Sequence, residues 1–595
     1  MEMEMQMDDL PARIARLVHS HFDGLPTRSK PILRDDGTRE WIPMSGIVVV
    51  RGENTPEEEL TCVAVTSGAK CLSASQIPHC KGLVLHDWHA EILALRAFNY
   101  WLLGEVRGVI EMERSAAAAA AAAATTSTAS ASAGTGIVSV SEAVSEKKKT
   151  SPFVRRRPER DQHTPASTPE AAEAETEPPK QKKKTTSPPF ELHPSLKIYM
   201  YCTCAPCGDA SMELTMAAQE DPTPWEIQPH PQPQNLPETP TQTPQEPEPE
   251  PEPNSLLNGR AHFSQLGIVR RKPARADASS TKSKSCSDKL ALRQVSSLIS
   301  RQMGLLVAVT RNAYLAGLVM PEGEISAVGC GRAFGGGVGG GWGLWRGGLG
   351  WGVGERDGQG YRFSPFQVLR VEGALVEELW AFGKPRGRDA GTGTGTATDP
   401  GPANGNENTS GNGNGAGNSA AGKYKPGTIS AVWIAAPSGS CLGFNPADGT
   451  KQLPKLRGSR TGLYETIIGG VKQGYKASGP GPRVRGASAL SRAKMWGFVR
   501  DLVGERELDQ NRSQSRNEDG VDQDEKGDRD QLGRIVGEAS YGGFKKAALS
   551  TEAGQARERA MQDAKKVLVP WVPNSGDEGW GLEVLVDNYT KKRKR

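Results

Sequence analysis

Apolar positions recur at helical spacing from Ile14 to Phe22, and the pattern then gives way to runs rich in β-branched residues. Trp41 to Val50 (WIPMSGIVVV) and Leu60 to Ser67 therefore predict strands, because branched side chains pack well on a pleated, half-buried surface. In HDWHAEILALRAFNYWLL the apolar set Ile92, Leu93, Leu95, Phe98, Trp101 and Leu102 falls on one side of a helix. Leu196 to Thr203 (LKIYMYCT) predicts a buried strand, and CAPCGDASMELTM a turn running into a helix. Further helices are expected over Leu290 to Leu306 and over 541–568, with a strand over Ile429 to Ala435. Strands alternating with helices predict an α/β layer sandwich.

Five stretches break this patterning and read as loop or disordered insertions: 105–190, 221–258, 331–360, 384–423 and 504–533. The first holds the polyalanine tract Ala116 to Ala124, the second a Pro/Glu run that favours extended, solvated backbone, and the third glycines interleaved with Trp342, Trp345 and Trp351. The fourth repeats Gly, Asn and Thr, and the fifth is a charged run of Asp, Arg, Gln and Asn. Composition agrees, since 69 Gly and 42 Pro make up almost a fifth of the 595 residues. The remainder suits one large domain interrupted by insertions, spanning about 10–574, with 575–595 as a tail that ends in KKRKR.

Charge narrows the partners. The 73 basic and 69 acidic residues leave a net charge of +4, too balanced for a protein that coats DNA, so any nucleic-acid surface is a local patch. The polyalanine tract, the longest purely apolar run, is far short of the ~20 residues a membrane span needs. The acidic start MEMEMQMDD lacks the features of a signal peptide, so the nine cysteines are expected in a reducing compartment as free, buried or metal-bound thiols. Cys62, Cys71, Cys80, Cys330 and Cys441 are expected to be buried thiols.

The chemistry concentrates at two places. His89-Ala90-Glu91 opens one helix and Pro206-Cys207-Gly208-Asp209-Ala210 opens another. A zinc deaminase needs a His and two Cys to hold the ion and an unligated Glu to move protons, in the pattern H-x-E followed by P-C-x-x-C. Cys207 at a helix start gains from the unpaired N–H groups there, which favour a thiolate. Position 210 is Ala, so the third ligand lies elsewhere. Cys204, which forms its own Cys-x-x-Cys with Cys207, and the distant Cys286 both qualify, and periodicity does not choose between them.

GAKC (68–71), GLVLHDWHAEILALRAF, APCGDAS and SCSDKLALRQ, in that order, resemble the adenosine deaminase (editase) domain of the family of RNA-editing and tRNA-specific adenosine deaminases. The resemblance implies a cytidine-deaminase-like three-layer α/β sandwich. It also implies a Zn2+ held by His89, Cys207 and Cys286, with Glu91 as proton shuttle and Cys204 a bystander. IARLVHSHFDGLP, AYLAGLVMPE and YRFSPFQVL look like the tRNA branch, whose members convert adenosine 37, in the anticodon loop of alanine tRNA, to inosine. The domain begins almost at once, leaving no room for a preceding double-stranded-RNA-binding module, and the long insertions resemble those of filamentous-fungal members.

Family members also bury inositol hexakisphosphate beneath the active site. The resemblance points to Arg96 and Lys289 for that role, with Arg492, Lys494, Tyr541, Lys545 and Trp571 as weaker matches. One departure is that the family's usual Arg-Trp after SCSDK is Leu292-Arg293 here. The lysine runs at 147–149 and 182–184 and the KKRKR tail fit nuclear import or tRNA backbone contact, which leaves nucleus and cytoplasm both open. Lys472, Lys476, Arg483 and Arg485 are candidates for a phosphate track. Two other readings compete: a cytidine or nucleoside deaminase, disfavoured by Ala210, and a catalytically inactive RNA-binding scaffold, disfavoured by the presence of Glu91.

Overall fold

The computed structural model describes residues 9–33, 39–130, 151–157, 187–218, 257–258, 265–272, 279–335, 359–384, 424–438, 456–477, 482–514 and 531–586. Its centre is a nine-stranded mixed sheet. In chain order the strands are β1 (Met44–Arg51), β2 (Glu59–Ser67), β3 (Leu196–Cys202), β4 (Leu315–Pro321), β5 (Gln367–Val371), β6 (Ser430–Ile434), β7 (Arg457–Gly458), β8 (Leu463–Ile468) and β9 (Val471–Lys472). Their spatial order is β5-β4-β3-β1-β2-β6-β8-β7, with β9 turning back on β8. The β5–β4 and β4–β3 pairs are parallel and the others antiparallel.

The sheet separates two cores because strand side chains alternate between its faces. Met44, Val48 and Val50 of β1 join Ile14, Val18 and Phe22 of helix α1 (Leu10–Asp23) and Leu375 and Val376 of a short helix at Gly373–Leu379. Ile47 and Val49 face the other way, onto helix α2 (Ala90–Ser130) and the remaining helices. Helix, sheet and helix thus form the three layers of a cytidine-deaminase-like α/β fold. Phe98 and Trp101 of α2 are fully enclosed, and truncating Phe98 to alanine would cost roughly 3–5 kcal/mol.

Several expected boundaries move. Trp41 to Val50 is two strands: Arg39–Trp41 pairs with Tyr424–Pro426, and β1 starts only after Pro43, which has no N–H to give a ladder. The helix expected over Leu290 to Leu306 is Cys286–Ser296 followed by a single 3₁₀ turn at Met303–Leu305, because Ser297 adopts a positive φ and stops it. The 541–568 helix is interrupted between Tyr541–Ala547 and Glu552–Val567.

The insertions are also narrower than composition implied. Residues 105 onward continue α2, with Val106, Val109 and Ile110 in the core. At the far end of that stretch Val154–Arg156 pairs with Phe190–Leu192. Buried Glu105 ties these pieces together, accepting from Ser151 Oγ and the Ser438 N–H, each at 2.9 Å. Likewise 331–334 belongs to helix Ala327–Phe334 and 504–514 to helix Arg492–Gln514. Apart from Leu257–Asn258 and Lys384, stretches 221–258 and 384–423 lie outside the described residues, as do Cys441, the lysine runs and the KKRKR end. The tail is a correction too, since Asp577 and Trp580 are buried in the domain. No helix among the described residues is long and apolar enough to cross a membrane.

Candidate active site

The register of the central strands brings the reactive loops to one edge of the sheet. Ser45 of β1 pairs with both Thr66 of β2 and Cys202 of β3, so the C-terminal ends of β2 and β3 meet there. From β2 the chain loops round to α2, whose first turn is anchored by Ala90 N–H to Gly68 O at 2.9 Å and Thr66 Oγ1 to Ala90 O at 2.6 Å. His89 immediately precedes the helix and Glu91 lies in its first turn. Glu91 is buried, and burial followed by the nearby Cys207 raises its carboxyl above the usual range.

From β3 the chain passes through Cys204 and Cys207 into a 3₁₀ turn (Asp209–Ser211) and only then into the short helix Met212–Ala217. Cys207 is therefore not at an α-helix start as the sequence indicated. That position belongs to Cys286, first residue of helix Cys286–Ser296, whose N-cap Ser285 accepts from the Asp288 N–H. The two cysteine loops are stitched together by Ser287. Its Oγ lies 3.0 and 3.1 Å from the Pro206 and Cys207 carbonyls and accepts the Ala210 N–H, while its own N–H donates to Cys207 O. Gly208 permits the approach, since it has φ +109° and a Cβ there would come within 2.3 Å of Ser285 Oγ.

These elements bring one ring nitrogen of His89 and the sulfurs of Cys207 and Cys286 within 4.8 Å of one another. Cys204 is not part of that group. Its thiol is held well above the ordinary range by burial and by Glu324. The Cys207 thiol is instead pulled well below it, first by the hydrogen bond from Cys286 and then, against the effect of burial, by Lys272 and His89. An imidazole and two thiols converging from three chain segments are the donor set of a tetrahedral zinc site with one open position. Glu91 Oε2 is buried with no hydrogen-bond partner among the described residues, as expected of a carboxylate whose partner belongs to the site's contents. The residues fit a zinc ion.

Asp87 organises the surroundings. It accepts from the His89 N–H at 3.1 Å, from Lys272 Nζ at 2.9 Å, from Ser283 Oγ at 2.6 Å and from Lys289 Nζ. Burial alone would raise its pKa, yet the two ammonium groups hold it well below the carboxylate range. Lys272 also lies 3.1 Å from Cys286 Sγ. Sequence reading missed Asp87 and Lys272; Asp87 stood two residues before His89, inside a motif already recognised, whereas nothing local marked Lys272.

Behind this lies a cationic cluster. Arg96 donates to Leu490 O, Arg293 to Ser297 O, and Arg557 to Ser296 O and Ile299 O, all backbone carbonyls. Burial, followed by neighbouring Arg492, lowers Arg96 to about 10, and burial followed by Arg557 lowers Arg293 to about 9. Such crowding fits a buried polyanion. Of the other residues indicated by sequence, Arg492 lies 3.5 Å from Asp577, and Tyr541 stacks on Trp580 with ring centroids 4.8 Å apart. Lys545 pairs with Glu578 at 3.3 Å. Lys289 is taken up by Asp87, Lys494 donates to Ala487 O beside Glu465 and Lys472, and Trp571 lies under Lys284. Arg293, flagged only as a departure, and Arg557 were not anticipated as part of this group.

A second group, Cys80, His86 and Asp577, also has its donor atoms within 4.8 Å of one another. The Asp577 oxygens already accept from the Gly82 N–H, His86 Nε2 and Arg492. It serves as a buried latch holding the C-terminal segment against the loop that leads to His89.

The adenosine-deaminase (editase) domain family matches residues 169–330, a span that contains Cys207 and Cys286 but not His89 or Glu91. The chain is 30% identical over 323 residues to tRNA-specific adenosine deaminase 1 of Schizosaccharomyces pombe, covering 54% of this chain and 60% of that protein. It is 24% identical over 293 residues to the Saccharomyces cerevisiae protein of the same name, covering 49% and 54%. A shorter match, 38% over 63 residues, is to double-stranded RNA-specific editase B2 of Mus musculus, covering 11% and 8%. The chain thus spans somewhat more than half the length of the two yeast relatives.

Proposed function

We propose that this chain is a zinc-dependent hydrolase that converts adenosine to inosine in tRNA, its target being position 37 in the anticodon loop of alanine tRNA. The observation that carries the reading is the convergence of His89, Cys207 and Cys286 beside the unpartnered Glu91 Oε2. Similarity to proteins named tRNA-specific adenosine deaminase 1 supports tRNA as the substrate class.

His89, Cys207 and Cys286 would hold the ion, which, when bound, acidifies a water molecule enough to make it a nucleophile near neutral pH. Glu91 would take a proton from the attacking water and return it to ring N1. The new bond joins the water oxygen to C6, the bond from C6 to the exocyclic nitrogen breaks, and the amine leaves as ammonia after a second proton is delivered. Asp87, fixed by Lys272 and Lys289, orients the His89 backbone.

The adenine must leave its stack to reach C6, at a cost of a few kcal/mol that is least in a single-stranded loop. An anticodon loop meets that condition. In this reading Arg96, Arg293, Arg492 and Arg557, with Tyr541 and Lys545 at the margin, would hold inositol hexakisphosphate as a buried polyanion.

The test is inosine formation on an alanine tRNA transcript by the zinc-loaded chain and by Glu91→Ala. The wild type is expected to produce inosine and the variant to lose at least about 10²-fold while keeping its zinc. Full turnover by Glu91→Ala would remove Glu91 from the chemistry, and a wild type active on free nucleosides but not on tRNA would replace the substrate assignment.

A further inference from the structure

A concentration of positive charge with no assigned role lies in 456–486, of which 456–477 and 482–486 are described. This segment carries Arg457, Arg460, Lys472, Lys476, Arg483 and Arg485 against one acidic residue, Glu465. Glu465 is buried and occupied, accepting from Ser488 Oγ and the Ala489 N–H. Five of the six cations are exposed and Lys472 is half-buried. The segment therefore presents positive charge outward with no outward carboxylate of its own.

Its placement is fixed next to the candidate active site. The β8–β9 hairpin turns through Gly469 and Gly470, both at positive φ, as a two-residue turn requires. The Gly470 carbonyl accepts the Leu85 N–H at 2.9 Å, and a Cβ on Gly470 would come within 3.0 Å of the Trp88 ring. Trp88 directly precedes His89. Beyond β9, the Lys472 N–H donates to Gly486 O at 2.8 Å, closing the base of the loop. Tyr475 packs against Gly486, where a Cβ would lie 2.6 Å from the ring, yet the residue remains 41% exposed. A firmly seated aromatic with an open face, set among cations, is the combination that takes single-stranded nucleic acid, stacking on a base while the cations meet phosphates.

We infer that the β8–β9 hairpin and residues 473–477 after it form an RNA-binding shelf beside the candidate active site. Lys472 and Lys476 meet the backbone phosphates of the loop from which the reactive adenosine is drawn, and Tyr475 stacks on a neighbouring base. This deepens the reading above, on which it rests for tRNA as the ligand.

The test uses the full zinc-loaded chain and an alanine tRNA transcript, with binding followed by fluorescence anisotropy between about 50 and 200 mM salt, the range over which phosphate contacts show. Lys472→Gln/Lys476→Gln is expected to weaken binding about 5- to 30-fold at the low-salt end. It should also flatten log affinity against log salt by roughly 0.7–0.9 for each phosphate that is no longer neutralised. Tyr475→Ala is expected to weaken binding at least about 5-fold with the slope intact, and Tyr475→Phe to restore it. Lys566→Gln, whose ammonium pairs with Asp563 at 2.8 Å, should bind as the wild type. Because Lys476 and Tyr475 are exposed, the tyrosine variants and Lys476→Gln alone should keep wild-type zinc content and melting temperature, which are read in parallel, while Lys472, half-buried near Glu465, is kept apart by comparing the double variant with Lys476→Gln. Wild-type affinity and slope in both the lysine and tyrosine variants overturn the shelf, including the case where the surface serves an acidic protein. Weakened tRNA binding by the variants of a chain that makes no inosine would leave the shelf standing and sink the deaminase reading. Inosine formation with unaltered binding would do the reverse.

Discussion

The backbone N–H of Cys286 points at the sulfur of Cys207 across 3.4 Å, although the two residues stand 79 apart in the chain. A donor aimed at that sulfur stabilises it as a thiolate, and Cys204 is not in the group of donor atoms that converge there. Cys286→Ser is therefore expected to lose most bound zinc, while Cys204→Ser retains it. Metal analysis of the two purified variants decides the matter, and the opposite result would move the third ligand to Cys204.

Ser287 joins the loops that carry both sulfurs. Replacing it with alanine leaves the Ala210 N–H without its acceptor in a fully buried setting, at a cost of about 1–3 kcal/mol. Ser287→Ala should thus lower the urea midpoint and, since the sulfurs lose their common brace, weaken zinc affinity in a chelator competition. A stability loss with unchanged zinc affinity would show that Ser287 serves the fold alone.

Much of the candidate site was legible because its residues stand in short contiguous motifs. His89 and Glu91 are set by one helix start, and Cys207 by one turn. What local patterning left undecided was the choice between Cys204 and Cys286, which depends on how the N-terminus of Cys286–Ser296 docks on the loop after β3. Asp87 and Lys272 are 185 residues apart, so their ion pair has no sequence signature at all. The insertions were over-drawn for a related reason. Alanine-rich sequence reads as filler, yet Val106, Val109 and Ile110 extend the apolar face of α2 into the core. At the other end, the charged tail segment 575–586 hid Asp577, whose place is set by Gly82, His86 and Arg492.

If the cationic cluster behind the site takes a polyanion, as proposed, the anion should contribute to the stability of the fold. Burial, then Arg557 and Arg96, lower the affinity of Arg293 for a proton, and a polyanion that binds only the folded chain would stabilise it by mass action. Adding inositol hexakisphosphate to protein refolded without it is expected to raise the melting temperature by at least about 5 °C, equivalent to a free ligand several hundred-fold above its Kd. Arg293→Met, which removes one charge at similar volume, should shrink that shift. An identical shift in Arg293→Met would place the polyanion elsewhere.

His19, on the opposite face of the sheet, gives the fold a pH dependence that is independent of the site. Its Nε2 lies 2.9 Å from Tyr201 Oη, its ring packs edge-on against Tyr201 and Trp380, and it is almost wholly buried. Burial lowers its pKa from 6.5 to about 4. The folded chain therefore binds fewer protons here than the unfolded chain between those values. Stability from this residue is unaffected above pH 6.5, declines as pH falls through the interval, and levels off below about 4. One pKa unit corresponds to 1.36 kcal/mol, so the loss amounts to about 2.5 kcal/mol by pH 4.5. His19→Gln, which cannot titrate but keeps a polar group near Tyr201, should remove that part of the acid sensitivity. Urea unfolding of both proteins at pH 7 and pH 4.5 measures it, and an unchanged difference between the two pH values in His19→Gln would show that protonation of His19 does not govern the acid limb.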